Sequence, residues 1–175
     1  DCGIGINQLN EPTDVIVDKN STSLIICDNG NRRIVRWSLE NPEDREIIIE
    51  DINCWGLTMN ENGDLSVSDR DNQAVKRWRK GTIVAGGHGR GNKLNQLYNP
   101  VFIFIDREDT LYITDSDNHH VIKWRKDAKE GIVVADGKES NQFKHPVGLS
   151  FDAENNLYVV DQSNNRIQLF EVDRN

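Results

Sequence analysis

Four histidines, His88, His119, His120 and His145, are the only imidazoles in this chain of 175 residues. Three of them converging on one point would hold zinc and leave a position open for water, the arrangement of a hydrolase or lyase centre. No Gly-x-Ser-x-Gly, no His-Glu-x-x-His and no spaced pair of catalytic carboxylates accompanies them. The run Gly86-Gly87-His88-Gly89-Arg90-Gly91 has the glycine content of a phosphate cradle. Such a cradle opens a helix whose amino end supplies the positive pole. Here Asn92 to Gln96 leads instead to Pro100 and another extended run, so the glycines read as a linker. Lys76-Arg77-Trp78-Arg79-Lys80 and Lys123-Trp124-Arg125-Lys126 interleave cations with tryptophan, the composition of a single-stranded RNA platform. Asn20-Ser21-Thr22 matches the N-glycosylation sequon, with Asn20 as acceptor. The three cysteines, Cys2, Cys27 and Cys54, lack zinc-ligand spacing and are too few for a disulfide-stapled mini-protein.

Whether any of these groups meet depends on the elements that carry them, and those elements repeat. Asp28-Asn29-Gly30-Asn31 returns as Asp69 to Asn72, Asp115 to Asn118 and Asp161 to Asn164, in steps of 41, 46 and 46 residues. Pro12, Cys54, Pro100 and Pro146 precede the four aspartates by 16, 15, 15 and 15 residues. An aromatic residue follows each aspartate nine positions later: Trp37, Trp78, Trp124 and Phe170. Within a repeat the apolar spacing is two, as in Val15/Val17, Leu57/Met59, Ile103/Ile105 and Leu149/Phe151. A second alternating run follows at Leu24/Ile26, Leu65/Val67, Leu111/Ile113 and Leu157/Val159. Short alternating runs bounded by Asn, Asp and Gly predict half-buried antiparallel strands. Four strands in about 45 residues make one propeller blade. The fold expected is therefore all-β, an arc of blades at 12–50, 54–86, 100–135 and 146–175, with about fifteen strands. Residues 1–11 align as the linker from a preceding blade.

Composition narrows the function. The 21 Lys+Arg against 29 Asp+Glu give a net charge of −8, which disfavours a broad phosphate-binding surface. The longest apolar run, Val101 to Ile105, is far short of a membrane-spanning helix.

Pro146-Val147-Gly148-Leu149, then Asn156 to Asp161, then Asn164-Asn165-Arg166-Ile167-Gln168-Leu169-Phe170 resembles an NHL repeat, and Asp115 to Trp124 is nearly as similar. Blade 2 departs most: Cys54 stands for Pro, and Gln73-Ala74 for the usual His/Asn-Arg. The resemblance implies a β-propeller, commonly of six blades, so the four repeats form part of a larger ring or are completed by a second chain; a four-bladed closure is the remaining alternative. With no catalytic motif in the sequence, the function expected is a non-catalytic interaction module that presents loops to a protein or glycan partner, with no cofactor. Some propeller lyases related to NHL proteins hold zinc through histidines on one face, and some NHL domains bind single-stranded RNA there. A metal-bearing hydrolase or lyase and an RNA-binding domain are the two alternatives.

Blade connectivity assigns loops to faces. Turns after the second strand and linkers after the fourth share one face, here the top, so all four histidines are expected there. Cys27 and Cys54 fall at neighbouring top positions and are expected either to bridge, implying an oxidising, extracellular setting, or to be two small buried thiols. The aspartates Asp28, Asp69, Asp115 and Asp161 with Asn31, Asn72, Asn118 and Asn164 are expected to close their turns by side-chain-to-backbone bonds; a ring of calcium ligands is the alternative. Trp37, Trp78, Trp124 and Phe170 are expected at equivalent buried positions.

Overall fold

The computed structural model describes residues 2–18, 21–78, 81–136 and 143–172. Among the described residues are fifteen strands in four antiparallel sheets, each a simple meander. The first sheet holds β1 (Pro12–Asp18), β2 (Ser23–Asp28), β3 (Arg33–Ser38) and β4 (Arg45–Glu50). The second holds β5 (Cys54–Met59), β6 (Leu65–Asp69), β7 (Ala74–Arg77) and β8 (Thr82–Gly86). The third holds β9 (Pro100–Ile105), β10 (Leu111–Asp115), β11 (His120–Trp124) and β12 (Ile132–Asp136). The fourth holds β13 (Pro146–Phe151), β14 (Asn156–Asp161) and β15 (Arg166–Glu171). The first strands of the sheets pack side by side, β1 on β5, β5 on β9 and β9 on β13, and form the inner wall of the arc.

A four-stranded sheet is too thin to own a core, so each blade buries apolar side chains against its neighbours. Three clusters mark the three junctions. Ile25, Cys27 and Ile34 of blade 1 meet Cys54, Leu57, Leu65 and Val67 of blade 2. Val75 and Ala85 meet Ile103, Ile105, Ile113 and Trp124 at the next junction, and Tyr112, Val121 and Ala135 meet Leu149, Leu157 and Val159 at the last. Position in the arc explains the burial of the middle strands. Every residue of β6 and β10 is buried, because a blade flanks each face. In β14 Leu157 and Val159 are buried while Tyr158 and Val160 are exposed, because only one face has a neighbour. Val15 and Val17 at one end, and Ile167 and Leu169 at the other, stand more than half exposed. The four blades therefore do not close on themselves, which corrects the four-bladed alternative.

The same logic corrects the expectation of four equivalent buried aromatics. Trp78, Trp124 and Phe170 each pack toward the preceding blade, but only Trp124 is fully buried, at 3% exposure, with its indole Nε1–H donating to the Ala128 carbonyl at 2.9 Å. Trp37 faces the side of blade 1 that has no neighbour; it is partly covered by the Arg45 guanidinium, 5.3 Å from the ring centre.

The turn aspartates also act differently from the sequence expectation. Asp28, Asp115 and Asp161 are fully buried, and none caps its own turn. Instead each carboxylate reaches the incoming linker. It accepts the backbone N–H of Asn10 (2.7 Å), Tyr98 (2.6 Å) and Lys144 (2.8 Å) respectively, always the residue two before the proline anchor. The second oxygen accepts the side-chain amide of Asn31, Asn118 or Asn164, each at 2.8 Å, and a cation or imidazole from Arg33, His120 or Arg166. In blade 2 Ala74 occupies the cation position, and Lys76 substitutes from two residues further on, 2.7 Å from Asp69. Only Asp69 closes its own turn, taking the N–H groups of Asp71 and Asn72. Each turn ends in a left-handed residue, Arg32, Gln73, His119 or Asn165. The linkers repeat too: Cys2 bridges Leu9 as Arg90 bridges Leu97, so residues 2–9 take the place of an inter-blade linker.

Cys27 and Cys54 are joined in a disulfide, with Cα atoms 6.0 Å apart. At the next junction Ser68 holds the position of Cys27, and its hydroxyl donates to the Val101 carbonyl at 2.8 Å. The inner strands run so close there that a Cβ on Gly56 would lie 2.4 Å from the Val101 oxygen. Blade 1 has Asp14 in the Gly56 position, and its carboxylate accepts the Leu57 N–H at 2.7 Å across the junction.

Two outcomes follow. Trp124→Ala should cost about 3–5 kcal/mol in chemical denaturation and Trp37→Ala less than half as much, since only the first opens a cavity between blades; equal losses would refute the blade order. In a carboxyl-detected NMR titration the two aspartates should separate in opposite directions from 3.8. Burial pushes Asp14 up, against the Leu57 and Val15 N–H bonds. Burial also pushes on Asp161, but Lys144 N–H, Asn164 and Arg166 outweigh it and hold the carboxyl low. The Asp161 contribution to stability is present above pH 3.8 and is lost as pH falls through its depressed pKa. The Asp14 contribution has the opposite sign: it is present below pH 3.8 and lost as pH rises through the raised pKa.

Candidate functional site

The top face is built from the turns after β2, β6, β10 and β14 and from the linkers that enter each inner strand. These segments are stitched into a polar network that crosses two junctions. Asn29 donates to the Asn53 side chain (3.0 Å) and the Cys54 carbonyl (2.7 Å), and Asn53 donates to Asp71 at 2.8 Å. Arg32 holds Asp51 at 2.9 Å and Asp71 at 2.7 Å. One junction on, the Gln73 side chain accepts the Asn99 N–H at 2.6 Å, and Asn99 donates to Asp117 at 3.3 Å. The Asn53 and Arg32 contacts hold Asp71 below the usual carboxylate range.

Over this network two guanidinium–ring stacks flank a cavity of about 450 Å³. The Arg70 guanidinium lies 4.5 Å from the Trp55 ring centre, and Arg90 lies 4.0 Å from that of Tyr98 while also touching its hydroxyl. Burial lowers the Arg70 pKa, and the charges of Asp117 and Asp71 oppose that. Stacking fixes both cations without neutralising them, so they can meet a carboxylate, an amide or another ring. Sequence reasoning missed this site. Its signal was a departure from the repeat: Trp55 stands where Thr13, Val101 and Val147 stand in other blades, and Arg70 where Asn29, Ser116 and Gln162 stand.

The four histidines separate. His119 and His145 meet edge to face, ring centres 5.2 Å apart, with His145 Nδ1 3.3 Å from Asp117. His120 turns inward to Asp115 at 3.1 Å, and His88 contacts the Gly86 carbonyl at 3.0 Å. Among the described residues no group of three or more His, Cys, Asp or Glu could hold a metal ion. The buried aspartates of the turns are occupied by their own amide and cation partners, which leaves no calcium ring. Of the two basic runs, Lys76 pairs with Asp69 and Lys126 with Asp109 at 3.0 Å, and Arg77 has a buried Nε; Arg79 and Lys80 lie outside the described residues, as does the sequon acceptor Asn20. Cys2 is exposed and forms no disulfide.

No curated protein sequence matches the chain significantly. Solved structures do. A gluconolactonase from Xanthomonas campestris aligns over 97% of this chain and 60% of its own, at 17% identity and a TM-score of 0.78. A chain of the nidogen/laminin complex aligns over 94% and 60%, at 18% and 0.72. A virginiamycin B lyase from Staphylococcus aureus aligns over 94% and 57%, at 16% and 0.61. The chain thus spans 60% or less of the length of each of these proteins. At such identities the likeness is one of fold, and it joins enzymes to a protein-complex component. Residues 143–170, the fourth blade, match the NHL repeat family, and the chain as a whole has the fold of a β-propeller arc.

Proposed function

We propose that the chain is a non-catalytic recognition module that takes a protein partner on its top face, outside the cell. The observation that carries this is the pair of adjacent arginine–aromatic stacks, Arg70 on Trp55 and Arg90 on Tyr98, flanking one cavity. Trp, Tyr and Arg are the residues that most often dominate protein interfaces, because they bring large contact area at low entropic cost. Packing within the fold does not require them, since the other blades use small or short polar residues at the Trp55 and Arg70 positions. The Cys27–Cys54 bridge supports an oxidising compartment. The likeness to a chain of the nidogen/laminin complex supports a protein partner. A glycan would also stack on Trp55, but the flanking cations favour a carboxylate-bearing protein segment.

The rival is a metal-dependent hydrolase or lyase, supported by the fold of the gluconolactonase. Two measurements separate them. Purified protein should carry no stoichiometric zinc or calcium and should leave a sugar lactone unhydrolysed, whereas stoichiometric metal with turnover would overturn the proposal. In biolayer interferometry against purified laminin, Trp55→Ala or Arg70→Ala should weaken the interaction about tenfold or more. Binding indifferent to both substitutions would move the interface elsewhere.

A further inference from the structure

The opposite, bottom face holds a larger groove, about 1110 Å³, beneath the junction of the third and fourth blades. Its apolar wall is aromatic. Phe104 and Phe151 have ring centres 5.0 Å apart, Tyr112 lies edge-on to Phe151 at 4.8 Å, and Phe104 is 36% exposed. Into this groove comes Lys123, at the end of β11.

Lys123 is only 8% exposed, yet its ammonium has no hydrogen bond and no ion pair among the described residues. Its one polar contact is the face of Tyr112, 5.8 Å away. The repeat shows what is missing. Arg36 holds the equivalent place in blade 1, where Glu46 faces it across the sheet at 2.5 Å and Asp18 lies 3.7 Å away. In blade 3 the residue across from Lys123 is Ile132. Four carboxylates around the groove are engaged elsewhere. Asp106 accepts the N–H groups of Glu108 and Thr110, Asp152 those of Glu154 and Asn156, and Asp109 holds Lys126. Glu61 lies 3.7 Å from Arg107. Burial, with the charges of Asp106 and Glu108, pushes the Tyr112 phenol up to about 12, so no phenolate neutralises the lysine. The Lys123 ammonium opens onto the groove with no protein partner to displace, so an arriving carboxylate gains a charge-assisted hydrogen bond there.

We propose that this groove binds a small organic carboxylate, its flat apolar body against Phe104 and Phe151 and its carboxylate on the Lys123 ammonium. Aromatic walls beside an unpaired ammonium suit a ligand with one charge on an apolar frame and disfavour inorganic phosphate, which offers nothing to the rings. This site is independent of the top-face reading, shares no residue with it and can fail alone.

The test is a 1H–15N NMR titration of the whole chain with 3-phenylpropanoate, its alcohol 3-phenylpropanol, and inorganic phosphate. The carboxylate should shift the amides of Lys123, Tyr112 and Phe151 saturably and bind about tenfold or more tightly than the alcohol, with phosphate silent. Lys123→Met should abolish the preference for carboxylate over alcohol, Lys123→Arg should retain it, and Trp55→Ala should leave it unchanged. Equal affinity for acid and alcohol in the unmodified chain overturns the proposal without needing any variant to fold. So does a response to phosphate alone, no saturable shift up to millimolar ligand, or a preference that survives Lys123→Met.

Discussion

A buried carboxylate at the end of the second strand connects most of what this structure does. Asp28, Asp115 and Asp161 each bind three things at once: the asparagine that ends their own turn, a cation or imidazole on the third strand, and a backbone N–H of the linker arriving from outside. An ionised carboxylate can be kept from water only when its acceptor positions are filled with good geometry. Filling them here fixes the linker, and the linker delivers the proline that starts the inner strand. The blade order along the arc and the placement of the top-face loops both follow from that bond. Arg33 shows the reach of the arrangement: besides Asp28 it donates to the carbonyls of Ile4, Gly5 and Gln8, and so locks residues 2–9 into linker geometry.

The repeat was legible because strand period, anchor spacing and turn composition are local properties, and all three recur in phase. The strands β9 to β12 run from Pro100 to Asp136. The role of the aspartates was not legible. A side-chain-to-own-turn bond and a side-chain-to-linker bond use the same residue types, and only the backbone path distinguishes them. Nor could the sequence grade the four aromatics, because their burial depends on whether a blade stands on the preceding side. Trp37 and Trp124 occupy the same register and differ in neighbours. At the top face the signal existed but lay in the exception: Trp55 was obscured by the search for what the blades share.

The two faces of the arc use different physics. On top, turns and linkers leave many backbone groups to satisfy, and Asn, Asp and Gln side chains do this across two of the junctions. Arginine is held there by rings and by Asp71 and Asp117, which keeps it oriented. Below, the loops after the first strand close on themselves through Asn60, Asp106 and Asp152, each of which accepts two N–H groups of its own loop. Those loops make few demands on their neighbours, so the bottom of a junction can open, as it does between blades 3 and 4 beside Phe104 and Phe151.

Blade 2 shows how one lost bond is offset by another kind. Its linker, residues 51–53, is too short to present an N–H to Asp69; the Ile52 N–H goes instead to the Arg32 carbonyl at 3.0 Å. Asp69 then closes its own turn, and the tether found in the other three blades is missing. The same junction carries the Cys27–Cys54 disulfide, whose second cysteine stands in the place of the proline anchor. A cross-link spanning 27 residues contributes roughly 3 kcal/mol by restricting the unfolded chain, the scale of a buried charge-assisted hydrogen bond or somewhat more. The departures of blade 2 from the repeat, the missing proline and the missing third-strand cation, are therefore coupled. A proline anchor needs a linker long enough to be held by the aspartate, and where the linker is short the anchor is held covalently. That coupling also places Trp55, the residue after the bridged cysteine, on a rigid support at the edge of the top-face cavity, where a recognition residue loses least on binding.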